Sequence, residues 1–251
     1  MLPLVAKLLA GGTANVAGNV AATTAAGSWI QHELENTSGM LPGEMMMMKL
    51  KMGVNPFLPV KVRPGLGNAY YTEGPPEHIA YDPTFGKPGI LAHELGHKLI
   101  YDGKAGVIMK FLQDKLYAPS RALSSTAALP VTLYNVRKFG RMGNPLSGAA
   151  IGAGTSGLAG AGHLLPEWKA SALAKEHYLS DRFNESQNNT LLNAALTTYL
   201  ADQMAGPAAL GALTSVENSK FLPKLLRTTK EDALIAPGML KRLTKLFQRF
   251  K

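Results

Sequence analysis

Residues 88–103, PGILAHELGHKLIYDG, place the strongest constraint on any fold this chain adopts. Two of its six histidines, His93 and His97, stand four positions apart with Glu94 between them. On a helix, positions i and i+4 share one face, so both imidazoles can reach a single point in space. Ile90, Leu91, Leu95 and Leu99 put the same helix in a core, Gly96 leaves room for a close neighbour, and Gly103 ends the helix. Two histidines hold zinc poorly, so the remainder of the chain must supply a third protein ligand and leave the fourth position to water.

Composition limits what that ligand can be. The chain has no cysteine, which excludes disulfides and thiolate metal sites and leaves the redox compartment open. A metal here is held by histidine and carboxylate. With 251 residues the chain is long enough for one sizeable core with appended helices. Its mean hydropathy near zero assigns it to neither side of the membrane question. The net charge of +9 is concentrated: from Lys220 to Lys251 there are nine Lys and Arg against Glu231 and Asp232, so seven of the nine excess charges lie in this last stretch. A nearly neutral body with a basic appendage argues against a nucleic-acid channel in the core and for docking on an acidic surface.

Most of the chain reads as helix. In residues 1–30, Ala10, Ala14, Gly18, Ala22 and Ala26 recur every four positions, a stripe that lets another helix approach closely. Lys7, Asn15 and Asn19 argue against a cleavable signal peptide there. Between Pro56 and Pro83, Pro and Gly punctuate VKV, AYY and HIAY, which predicts a small sheet of two or three short strands ahead of the HELGH helix. The stretches 122–136 and 146–166 resemble membrane spans superficially. The second is mostly Gly and Ala, and the first holds Pro130, so membrane contact and burial within protein both stay open. Gly148, Gly152, Ser156 and Gly160 repeat the four-residue spacing. The run Met45–Met48 is either a buried helix turn or a flexible apolar contact surface. The expected organisation is a small-residue-rich helical segment over 1–55, a core over 56–217 with a helical insertion at 104–166, and a basic tail over 218–251. The fold class is mainly α with a small β-sheet.

The third ligand is sought in HLLPEWKASALAKEHYLSD, residues 163–181. Pro166 suits a helix start, Glu167 follows it, and Ser171 lies one turn further along the same face. Glu167 completes a His, His, Glu set if it faces the first helix; otherwise it complements the helix dipole.

HELGH, followed after two weakly apolar segments by LLPEWKASALA and then LLNAALTTYLAD, resembles the neutral zinc metallopeptidases of bacterial membranes. These are gluzincins related to the heat-shock membrane peptidases and the CAAX prenyl proteases. NAYY, residues 68–71, is similar to the Asn-Ala-aromatic strand that borders the cleft in that group. The resemblance runs from about Val60 to Met204 and implies a zincin-like core. It implies one zinc ion held by His93, His97 and Glu167, with Glu94 as general base and Ser171 beside the ligands. Asn68, Ala69, Tyr70 and Tyr71 would bind the backbone of a protein or peptide substrate. Zinc so held lowers the pKa of water and polarises a peptide carbonyl, while Glu94 moves a proton to the leaving amine. Tyr199 and His177 are candidate stabilisers of the transition state, each also readable as an ordinary helix residue.

The rival is a non-enzymatic structural or membrane-delivery protein, such as one from a phage particle, whose small-residue helices engage a copy of itself or another assembly partner. GTSGLAG lacks the spacing of a nucleophile elbow, and no glycine loop is followed by a lysine as a phosphate site requires. His32, His78 and His163 read as structural or surface residues. In residues 237–251, PGMLKRLTKLFQRFK, the spacing of Leu240, Leu243, Phe247 and Phe250 predicts an amphipathic helix with Lys241, Arg242, Lys245 and Arg249 on its other faces. Its preferred partner is an anionic membrane surface, ahead of docking on the body of the protein and then of nucleic acid, which makes the protein membrane-associated or peripheral.

Overall fold

The computed structural model describes residues 2–217 except 42, 127, 141–143 and 182–184. It opens with a long helix α1 (Leu2–Asn36) and a short α2 (Glu44–Lys51). Three strands follow, β1 (Val60–Val62), β2 (Ala69–Thr72) and β3 (His78–Tyr81), and then α3 (Pro88–Tyr101), which carries HELGH. Next come α4 (Val107–Phe111), a π-helical turn (Leu112–Leu116), α5 (Tyr117–Thr126) and α6 (Ala128–Phe139). The described chain closes with α7 (Pro145–Ala159), α8 (Ala161–His177) and α9 (Glu185–Glu217). The chain is mainly helical with a small sheet, as the residue pattern predicts. The basic tail and its amphipathic pattern lie outside the described residues.

The sheet has the order β1-β3-β2, with β1 parallel and β2 antiparallel to β3. Tyr70 pairs with Ala80, and Tyr71 with Ile79. β2 is therefore an edge strand, and its unpaired side faces α3 and the polar cluster that α3 carries. Asp82 accepts the Thr84 N–H at 3.0 Å and starts a single 3-10 turn before α3.

α3 is the central helix. Pro88 occupies its first turn, where a missing N–H is harmless, and the Asn188 side chain of α9 accepts the Gly89 N–H at 2.7 Å. Leu91, Leu95, Leu99 and Ile100 pack with Met48, Ile79, Leu173 and Leu179 in the main core. The run of methionines in α2 divides between the two readings made of it: Met48 is buried, while Met46 and Met47 are exposed.

The approach of α3 to α8 positions the site. A Cβ at Gly96 would lie 2.4 Å from the Ala170 carbonyl oxygen and 2.8 Å from its Cα, so only glycine permits the two backbones to lie this close. Pro166 corrects an expectation: it lies inside α8 rather than at its start. The N–H groups of His163 and Leu164 both bond the Gly160 carbonyl, so the helix has already begun, and the proline removes only one early bond within it.

The four-residue stripes serve packing within the chain. A Cβ at Gly148 would fall 2.1 Å from the Gly211 carbonyl oxygen, and one at Gly152 would fall 1.9 Å from that of Pro207. Pro207 sits inside α9 and cannot bond the Gln203 carbonyl four residues earlier; Ser156 Oγ donates to that carbonyl instead, at 2.6 Å. Asn19 of α1 accepts the Gly206 N–H at 2.7 Å, and a Cβ at Gly18 would meet Ala209. Both α1 and α7 thus lie against α9. Among the described residues, no helix is long and apolar enough to cross a membrane.

Candidate metal centre

α3 and α8 bring three ligand atoms together. His93 Nε2 lies 3.1 Å from Glu167 Oε2 and 3.1 Å from His97 Nε2, and His97 Nε2 lies 3.5 Å from Glu167 Oε2. These atoms form a near-equilateral triangle. The ligand–ligand edge of a tetrahedral zinc site with bonds of about 2.0–2.1 Å is about 3.3 Å, so the triangle has the size that one such ion requires. Glu167 is 1% exposed, and two imidazoles with one carboxylate form a donor set suited to zinc. These three are a group among the described residues able to hold a metal ion.

Hydrogen bonds hold each ligand. His93 Nδ1 lies 2.9 Å from Ser171 Oγ, and His97 Nδ1 lies 3.1 Å from Gln113 Oε1. The Tyr117 hydroxyl donates to Glu167 Oε1, leaving Oε2 to the two imidazoles. Tyr199 also hydrogen-bonds Glu167. Glu94 is buried beside the cluster and accepts the backbone N–H of Tyr71 from the edge strand.

The protonation pattern follows from this packing. Burial raises the Glu94 carboxyl above the usual carboxylate range, His93 and His97 oppose that rise, and Glu167 adds to it. Burial works against a charged His97, yet the Glu167 carboxylate outweighs it and pushes the imidazole up to about 9. For Glu167, burial favours the neutral acid, but the two imidazoles hold the carboxyl well below its usual range. Burial and the Glu167 charge raise both Tyr117 and Tyr199, so both stay protonated hydrogen-bond donors.

A cavity of about 340 Å³ opens over this cluster, lined by Asn68, Ala69, Tyr70 and Tyr71 of the β2 region and by Glu94, Tyr117 and Tyr199. A second cavity of about 260 Å³ shares Asn68, Glu94 and Tyr199 and extends toward Ile30 and Phe85. His93, Glu94, His97, Glu167, Ser171, Tyr199 and the 68–71 strand therefore come together in one place. His177 does not. It is exposed at the C-terminal end of α8, ten residues beyond Glu167, which is roughly 15 Å along the helix.

Gln113, Tyr117 and His163 join the site without a signal in the sequence. FLQDKLYAPS contains no motif, and only the π-helical turn aims Gln113 and Tyr117 at α3 and α8. His163 is fully buried, with its ring 4.4 Å from that of Tyr117 and its Nε2 3.9 Å from Glu167 Oε1. Of the other histidines, His32 is exposed on α1, and His78 bonds the Pro76 carbonyl at 2.7 Å. No protein-family model matches the chain, and no curated protein or solved structure matches it significantly.

Proposed function

We propose that the protein is a zinc-dependent endopeptidase with a zincin-like core. The observation that carries this reading is the triangle of His93 Nε2, His97 Nε2 and Glu167 Oε2 beneath an edge strand, with a buried glutamate beside it that is not one of the three. Zinc at those atoms would acidify a water molecule and polarise a peptide carbonyl. Glu94, with a raised pKa, accepts a proton from the attacking water at its carboxylate and delivers it to the departing amine nitrogen. The Tyr199 hydroxyl stays protonated at neutral pH and lines the cavity; its one proton, given to Glu167 in the metal-free site, would be redirected to developing oxyanion charge once that carboxylate is bound to the metal. An extended peptide pairs with the backbone of Ala69 and the Tyr71 carbonyl on the outer side of β2, since Asn68 bonds toward β3 and the Tyr71 N–H toward Glu94, and lies across the cavity.

The test is hydrolysis of a mixed peptide library by the zinc-loaded wild type and by Glu94→Gln, with the metal content of both measured. The proposal expects equal zinc and loss of hydrolysis in the variant. A zinc-bound wild type that cleaves nothing would instead support the structural or membrane-delivery reading. One observation favours that second reading: Val107, Ile108 and Phe111 of α4 stand exposed side by side.

A further inference from the structure

Resting on the metal-site reading above, we infer that Gln113, anchored by Glu73, is a positioning residue that sets the His97 tautomer and so aims the Nε2 lone pair at the metal. Gln113 Nε2 lies 3.2 Å from the His97 backbone carbonyl and 3.2 Å from Glu73 Oε1. A carbonyl oxygen only accepts hydrogen bonds, so the Gln113 atom facing it is the NH2 group. The amide orientation follows, and Oε1 is the atom facing His97 Nδ1 at 3.1 Å. An amide oxygen also only accepts, so Nδ1 carries the proton, and in the neutral ring Nε2 is left with the lone pair. That Nε2 is the atom 3.1 Å from His93 Nε2 and 3.5 Å from Glu167 Oε2.

His93 has no equivalent constraint. Its Nδ1 faces the Ser171 hydroxyl, which donates or accepts equally well and selects neither tautomer. The backbone also singles out Gln113. It is buried within the π-helical turn Leu112–Leu116, a rare local geometry that widens the helix by one residue and turns this side chain toward α3. Glu73 follows β2 in sequence and is exposed. The chain Glu73–Gln113–His97 therefore joins the end of the edge strand to a ligand on the central helix.

The experiment measures the zinc dissociation constant of the metal-stripped full chain by competition with a chromogenic chelator, together with the metal-free melting temperature. Gln113→Met keeps the shape of the side chain without the acceptor. The double variant Glu73→Gln/Gln113→Glu reverses the donor between residues 73 and 113 and gives up the bond to the His97 backbone carbonyl, but keeps an acceptor on Nδ1, so it separates the tautomer-setting contact from the merely structural one. Loss of an outer hydrogen bond to a histidine ligand typically weakens metal binding about 10–100-fold, so Gln113→Met is expected in that range and the double variant within about threefold of wild type. A purely structural role for Gln113 predicts no such rescue. Wild type that takes up no zinc overturns the metal-site reading itself. Wild type that binds zinc while Gln113→Met binds equally well overturns the positioning role alone, and so does a double variant as weak as Gln113→Met.

Discussion

Replacing Gly96 by alanine tests the link between helix packing and metal binding. The added Cβ would lie 2.4 Å from the Ala170 carbonyl oxygen and 2.8 Å from Ala170 Cα, where ordinary contact begins near 3.4 Å. Both obstacles are backbone atoms and cannot rotate away, so α3 and α8 must separate by roughly 1 Å. That displacement would open the 3.1 and 3.5 Å distances from the imidazoles to Glu167 to roughly 4.1 and 4.5 Å, beyond the edge of about 3.3 Å that a tetrahedral zinc site spans. Overpacking of this kind destabilises by about 3 kcal/mol at the upper end, and the better helix propensity of alanine returns about 1 kcal/mol. The net loss of about 2 kcal/mol corresponds to a fall in melting temperature of about 4–8 °C for a chain of this size. Calorimetry of the metal-free protein and chelator competition for zinc read the two effects separately. Gly154→Ala is the control, since a Cβ there meets nothing within 4 Å. If Gly96→Ala melts and binds zinc as wild type does, the argument from helix proximity is wrong.

Zinc affinity should depend steeply on pH near neutrality. Metal-free His97, pushed up to about 9, holds a proton below that pH which zinc must displace. Affinity should therefore fall about ninefold from pH 8 to 7, against about 1.3-fold for an imidazole of ordinary pKa near 6.5; the shallow result would show that Glu167 does not hold His97 charged. Gly152→Leu should lower the melting temperature sharply, because even its Cβ would fall 1.9 Å from the Pro207 carbonyl oxygen. An unchanged thermal transition would refute the α7–α9 contact. Truncation after Ala236 should abolish flotation with anionic vesicles at low salt, and salt-sensitive binding to duplex DNA instead would move the tail's partner to nucleic acid.

The central helix, the three short strands and the close-packing role of the glycine stripe at 148–160 were legible in the sequence because each depends on local periodicity. HELGH sets its own geometry: four residues on a helix bring two imidazoles to one face whatever surrounds them, and the apolar positions between them require burial. What occupies the third corner of the triangle was not local. Glu167 had two readings, ligand or dipole complement, until the contact of Gly96 with Ala170 placed α8 against α3. His177 and Glu167 lie on one helix, and only the direction in which α8 crosses α3 put the first in solvent and the second beside the imidazoles. Gln113 and Tyr117 reach the site through a π-helical turn with no periodic signature, and the Gln203 carbonyl left open by Pro207 is met by a serine from another helix. Spacing along one helix is set by covalent geometry, which the residues state directly. A meeting between helices depends on how closely their backbones can approach, and that follows from packing the whole chain.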